Sequence, residues 1–162
     1  MSANDHLLTC GDKRGATMRH NVVEHELKKM AEELGIPVIA QPPLFDPESG
    51  EKRDPHKKAD LLLHLPTGSP LFIDVAVCTP TAMSHLDRPH SRIAMDETAK
   101  EKKEKYDHLT AALAHATNRP LRFLPFVMEV YGAMHSSAEE VLEEFDAAAR
   151  IHGVRPMSDE TN

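Results

Sequence analysis

Between Arg19 and Gly35 the apolar residues Val23, Leu27, Met30 and Leu34 recur at helical spacing, and Gly35 stands where helices commonly stop. The pattern predicts a first helix. PVIAQPPLF (37–45) is apolar but broken by prolines, which confines it to an edge or irregular strand. DPESGEKRDPHKK is dense in turn formers and charge and reads as an exposed loop. ADLLLHLP and LFIDVAV follow, two short apolar runs joined by TGS between prolines, which is a hairpin signal. After the loop CTPTAMSHLDRPHS, RIAMDETAKEKKEKYDHLTAALAHAT predicts a long second helix and LRFLPFVMEV a fourth strand. Ser137 with Glu140 forms a capping-box pattern ahead of Val141, Leu142, Phe145 and Ala149, which carry a last amphipathic helix. The order helix, three strands, helix, strand, helix predicts an α/β or α+β domain with a small mixed sheet. The long helical crossover allows strands three and four to run parallel. Residues 1–15 and 153–162 are polar and aperiodic and read as tails, leaving 16–152 as the folded unit.

Composition narrows the picture. A chain of 162 residues with 40% hydrophobic content can bury one core without staples. The two cysteines, Cys10 and Cys78, lie far apart behind no apolar leader, which predicts a reducing, intracellular or nuclear setting and not secretion. No apolar stretch approaches the length of a membrane span, so no membrane partner is expected. The formal net charge of −7 argues against a broad nucleic-acid-binding surface. Basic residues are nonetheless concentrated in EKRDPHKK (51–58) and KEKKEK (100–105), which permits a local positive surface.

Three residues do not suit a plain core. Asp60 opens the run LLL, and Asp74 sits inside FIDVAV, where an ionised carboxylate costs several kcal/mol unless a cation or donors meet it. A hairpin sets such strands side by side, so the two acids can reach one divalent ion. Paired carboxylates with waters and substrate phosphate are the usual protein share of a Mg²⁺ site. The plainer readings are that Asp60 hydrogen-bonds nearby backbone at a strand end and that Asp74 pairs with a basic residue. On the second helix, Met95, Ala99, Lys102, Tyr106, Leu109, Leu113 and Ala116 form one stripe whose single charged member is Lys102. Lys100 and Lys103 fall off that stripe and read as a solvated face. Lys102 must snorkel to water or point at something negative, and Asp74 is the obvious target. Two acids and a lysine over a sheet edge suit phosphodiester hydrolysis.

These residues, taken in order, are similar to a known pattern. ADLLL, IDVAV and EKKEKY over an αβββαβ succession resemble the PD-(D/E)XK nuclease superfamily. Within it, the chain looks most like the restriction-enzyme-like endonuclease domain of non-LTR retrotransposons. The matching stretches are His6 to Cys10, Arg19-His20-Asn21, Ala59-Asp60, Asp74-Val75-Ala76-Val77 with Pro80, Lys102 to Lys105-Tyr106, and Pro125 to Glu129 with Gly132. The resemblance implies a PD-(D/E)XK-like core with a small mixed sheet flanked by helices, plus a C-terminal helix. It implies an endonuclease using Mg²⁺ or Mn²⁺, with Asp60, Asp74, Lys102 and His20 catalytic, and Asp60, Asp74 and Glu129 as metal ligands. Arg19, Lys105 and Tyr106 would contact DNA. The partners implied are DNA and a reverse transcriptase in the same parent polyprotein, primed from the 3′-hydroxyl of a nick.

The chain departs from the superfamily's commonest form at Ala76, where a catalytic lysine usually stands. Lys102 on the following helix takes that part in the retrotransposon-type variant. Glu24 and Glu26 are available on helix one, but neither matches the family motif. His6 and Cys10 are half of a zinc-knuckle pattern, so the resemblance implies a longer parent protein, with no structural zinc completed here. The alternative expectation is a catalytically degenerate module of the same fold that only binds nucleic acid or a protein. A cellular protein that kept the domain is a third.

Overall fold

Residues 13–42, 58–79 and 91–154 are described by the computed structural model. His6 and Cys10, most of the basic stretch 51–58, and Pro80 lie outside them. The first apolar stripe forms α1 (Lys13–Glu33), with Leu27 and Ala31 buried. The helix starts at Lys13 and not Arg19, because Ala16 and Met18 favour helix and no proline interrupts them. At its far end Gly35 takes φ +70°, a left-handed turn that lets the Ile36 N–H reach back to the Ala31 carbonyl at 2.8 Å.

Three strands follow: β1 (Val38–Ala40), β2 (Leu61–Leu63) and β3 (Leu71–Cys78). β1 ends before the prolines and occupies the sheet edge, as a proline-flanked strand must. β2 pairs antiparallel with β3, Leu61 opposite Ile73 and Leu63 opposite Leu71. The crossover helix α2 (Ser91–Thr117) returns the chain to β4 (Arg122–Glu129), which runs parallel to β3 from Leu71 opposite Arg122 to Cys78 opposite Glu129. α3 (Ser136–Ile151) closes the order. The result is a mixed α/β domain with a four-stranded sheet, β1-β2-β3-β4, flanked by helices.

The pleat of β3 sends successive side chains to opposite faces. Leu71, Ile73 and Val75 join Leu61, Leu63 and Phe126 in the main core, closed by Leu27 of α1 and by Val141 and Phe145 of α3. On the other face, Phe72 packs with Tyr106 and Phe123, and Cys78 packs with Met95, Ala99 and Val127. Asp74 shares that second face, so the α2 side alone receives the polar residue.

The start of α3 differs from the capping-box expectation. The N-cap is His135, not Ser137: its backbone is extended, and its Nδ1 accepts the Ser137 N–H at 3.1 Å. The chain leaving β4 doubles back, with the Glu129 N–H donating to the Ala133 carbonyl and the His135 N–H to the Val127 carbonyl. That return fixes His135 as the last extended residue, so an imidazole nitrogen fills the place reserved for a hydroxyl. Among the described residues, no helix is long and apolar enough to cross a membrane.

Candidate active site

Asp60 lies where the β2–β3 ladder ends. Its N–H donates to the Ile73 carbonyl at 2.9 Å, and its carbonyl accepts the Gln41 N–H at 2.7 Å, so neighbours on both sides fix its backbone. The carboxylate takes over where strand pairing stops: Oδ2 accepts the Val75 N–H at 2.6 Å. That bond is the plain strand-end role open to Asp60 from sequence. It uses one oxygen and leaves the other free to act. Oδ1 lies 3.4 Å from His20 Nε2, which is also 3.6 Å from Glu24 Oε2 on the next turn of α1. His20, Glu24 and Asp60 each bring a ligand atom within 4.8 Å of the others, close enough to hold one cation.

The charges of this group are mutually adjusted. The hydrogen bond to Asp60 raises the His20 pKa, aided by the charges of Asp60, Glu24 and Asp74 and opposed by burial. Burial pushes the Glu24 carboxyl up, and the nearby Asp60 charge adds to the rise. An anionic cluster that favours protons also favours a cation in their place.

Asp74 is 4% exposed in the middle of β3. Lys102 Nζ forms an ion pair with its Oδ2, and the Tyr106 hydroxyl lies 3.1 Å from Oδ1. The Lys102 side chain is 28% exposed, so the amine reaches inward from α2 while its stem stays at the surface. Beyond the ion pair, Oδ2 has no hydrogen-bond donor. Burial raises the Asp74 pKa despite Lys102, and the Asp60 charge adds to the rise. The stripe on α2 therefore does what its pattern predicts: Met95, Ala99 and Tyr106 are buried, and Lys102 answers the aspartate.

Tyr106, expected at a DNA surface, is instead a core residue at 1% exposure. Its ring packs on Phe123 with centroids 4.8 Å apart, and its hydroxyl also lies 2.7 Å from the Lys58 carbonyl. The reason is its place on the stripe, which turns it toward the sheet. Burial and the Asp74 charge both push the phenol pKa up, so it acts as a fixed donor. Lys105 is exposed, with its ammonium 4.6 Å from the Tyr106 ring centroid, and remains available to an anion. Arg19 is half-buried on α1, one residue before His20.

Glu129 was expected to share an ion with the two aspartates. The register sets Glu129 opposite Cys78 and Asp74 opposite Pro125. Four residues of strand, about 13 Å at ~3.3 Å per residue, separate the two levels. The Glu129 side chain shares the α2 face with Cys78, whose thiol pKa is raised first by burial and further by the Glu129 charge. Asp60 and Asp74 feel each other's charge but have different partners, the first His20 and Glu24, the second Lys102 and Tyr106.

Glu24 is the member of the site that sequence did not assign. Its signal is the four-residue spacing from His20, which puts both on one helix face. That spacing is too common among surface residues to single out a ligand until Asp60 is seen beneath it. Compared with known protein families and with curated proteins, the chain matches none.

Proposed function

We propose that this chain is a divalent-metal-dependent DNA endonuclease domain of the PD-(D/E)XK type, similar to those of non-LTR retrotransposons. It would nick target DNA by phosphodiester hydrolysis and leave a 3′-hydroxyl to prime a reverse transcriptase. The observation that carries this reading is the Lys102–Asp74 ion pair beside the His20–Glu24–Asp60 group. A catalytic lysine supplied from the helix after β3 accounts for Ala76 at the usual position, and the αβββαβ order supports the reading.

The donor set suits a small divalent ion. Two carboxylates match Mg²⁺ or Mn²⁺, and the imidazole, a transition-metal donor, makes Mn²⁺ the better match. Such an ion supplies a bound water of lowered pKa and positive charge beside the phosphate. The rest falls to the protein. Asp60 is oriented by the Val75 N–H, so its second oxygen points at His20 and Glu24. Asp74 is held from one side by the Tyr106 hydroxyl, which leaves its other oxygen to Lys102. The ammonium, fixed at a partly dry margin, offsets charge that grows on the phosphate oxygens. Exposed Lys105 can meet the neighbouring backbone phosphate.

The same ion pair favours a second reading, because Lys102 satisfies Asp74 with no ion present. In a chain of net charge −7, a degenerate module that binds without cleaving would keep this pair for its fold. Supercoiled plasmid separates the two. The wild-type protein is expected to nick it with Mn²⁺ or Mg²⁺ and to stop on chelation. Asp74→Ala and Lys102→Ala are expected to lose at least about 10²-fold in rate. Equal nicking by all three proteins would mean a contaminant and sink the hydrolase assignment. Retarded plasmid with no nicking would select the binding module.

A further inference from the structure

Where β3 and β4 end, the parallel register sets Cys78 opposite Glu129, and the pleat turns both side chains to the α2 face. Both are buried, Glu129 at 5% exposure and Cys78 at 8%. Burial raises the thiol pKa most and the Glu129 charge raises it further, so the carboxylate lies within electrostatic reach of the sulfur. The two are not hydrogen-bonded to each other. Cys78 Sγ lies 3.4 Å from Thr98 Oγ1, and that hydroxyl spends its own hydrogen on the Ala94 carbonyl at 2.8 Å, so the thiol donates to Thr98. Glu129 Oε1 is buried and, among the described residues, has no hydrogen-bond donor. Lys102, the charged member of the α2 stripe, is already paired with Asp74. A buried carboxylate oxygen is thus left without donor or cation, beside a sulfur that becomes a second anionic ligand on losing its proton.

We propose that Cys78 and Glu129 form a binding site for a thiophilic divalent cation of the zinc class. Thiolate and carboxylate together carry two negative charges, which a divalent ion neutralises in this buried place and a monovalent ion does not. The sulfur selects against Mg²⁺ and Ca²⁺, which take oxygen ligands. Neighbouring strands lie about 4.8 Å apart. A tetrahedral ion with ~2.3 Å to sulfur and ~2.1 Å to oxygen needs its two donors about 3.6 Å from each other, a span that facing side chains on such strands can close. Thr98 Oγ1 stands close to that distance from the sulfur already and, with its hydrogen on Ala94, can turn a lone pair to the ion as a third donor. Water completes the tetrahedron. On binding, the S–H bond breaks and its proton goes to solvent, a sulfur–metal bond forms and a water leaves the ion, with no change of oxidation state. The ion would tie the ends of β3 and β4 to α2, the helix that presents Lys102. The site holds whether or not the chain cleaves DNA.

Cadmium(II) is the probe, because its bond to a thiolate gives an ultraviolet charge-transfer band that imidazole and carboxylate ligands do not. The full chain is titrated with Cys10, its other cysteine, replaced by serine. The Cys10→Ser protein is expected to develop the band and to saturate at a single cadmium ion per chain. Zn²⁺ is expected to bleach the band by displacement, and about a hundredfold excess of Mg²⁺ to leave it. In the same background, Cys78→Ser is expected to abolish it and Glu129→Gln to weaken cadmium binding at least about tenfold. Glu129→Gln keeps the side chain's shape, so the test stands even if the Cys78 variant folds poorly. His20→Asn is expected to leave the band unchanged, which separates this site from the His20–Glu24–Asp60 group. No band in the Cys10→Ser protein, undiminished affinity in Glu129→Gln, or loss of the band in His20→Asn would overturn the proposal.

Discussion

On β3, Leu71, Ile73 and Val75 face α1 and α3, while Phe72, Asp74, Ala76 and Cys78 face α2, so adjacent residues of one strand build two unlike layers. The first layer is apolar throughout and closes on Val141 and Phe145, both fully buried. The second gives up burial at Asp74 and repairs the loss with Lys102 and Tyr106. The difference separates two jobs. One face supplies the free energy of folding, and the other holds charge at a fixed place because the first makes the sheet rigid.

The largest expected effect lies on the apolar face. Phe145→Ala should lower stability by about 3–5 kcal/mol in urea denaturation, since it removes a fully buried ring where neighbours on three elements cannot collapse. A loss under about 1 kcal/mol would show that this face does not carry the fold.

The polar face should respond asymmetrically. Lys102→Ala leaves a buried carboxylate with its cation gone and should cost about 2–3 kcal/mol, below the full value for a buried pair because Lys102 is partly exposed. Asp74→Asn should change stability by less than about 1 kcal/mol, because burial already disfavours the charged form and the freed lysine can turn to water. Equal losses from the two substitutions in the same denaturation series would mean that the pair is a plain structural bridge.

The smallest effect is a pH dependence at the His20–Glu24–Asp60 group. The His20 pKa is raised above 6.5, so its share of stability is full below that pH and is lost as pH rises through the folded-state value. In chelator, the urea midpoint should therefore drift down above about pH 6.5, and His20→Asn should flatten the drift. With Mn²⁺ the trend should reverse, since a metal ligand must shed its proton before it binds. A midpoint that ignores both pH and metal would show that the cluster is no cation site.

Much of this was legible from the chain. Period-3.6 and period-2 patterns, proline at an edge and glycine at a helix stop gave the order of elements, because each reflects a local backbone preference or a face that must be buried. Asp74 and Lys102 could be paired in advance because each was the single charge on an otherwise apolar face. The start of α3 at His135 could not, since the return of the chain after β4 chose the cap. Glu24 joined the site, Tyr106 withdrew into the core and Glu129 came to lie beside Cys78, four residues of strand from Asp74, for a related reason. Sequence determines which side chains share an element's face. Only the packing of α1 over the end of β2, and the parallel register of β4 on β3, decides which faces meet and at what level. Those are long-range contacts with no local trace.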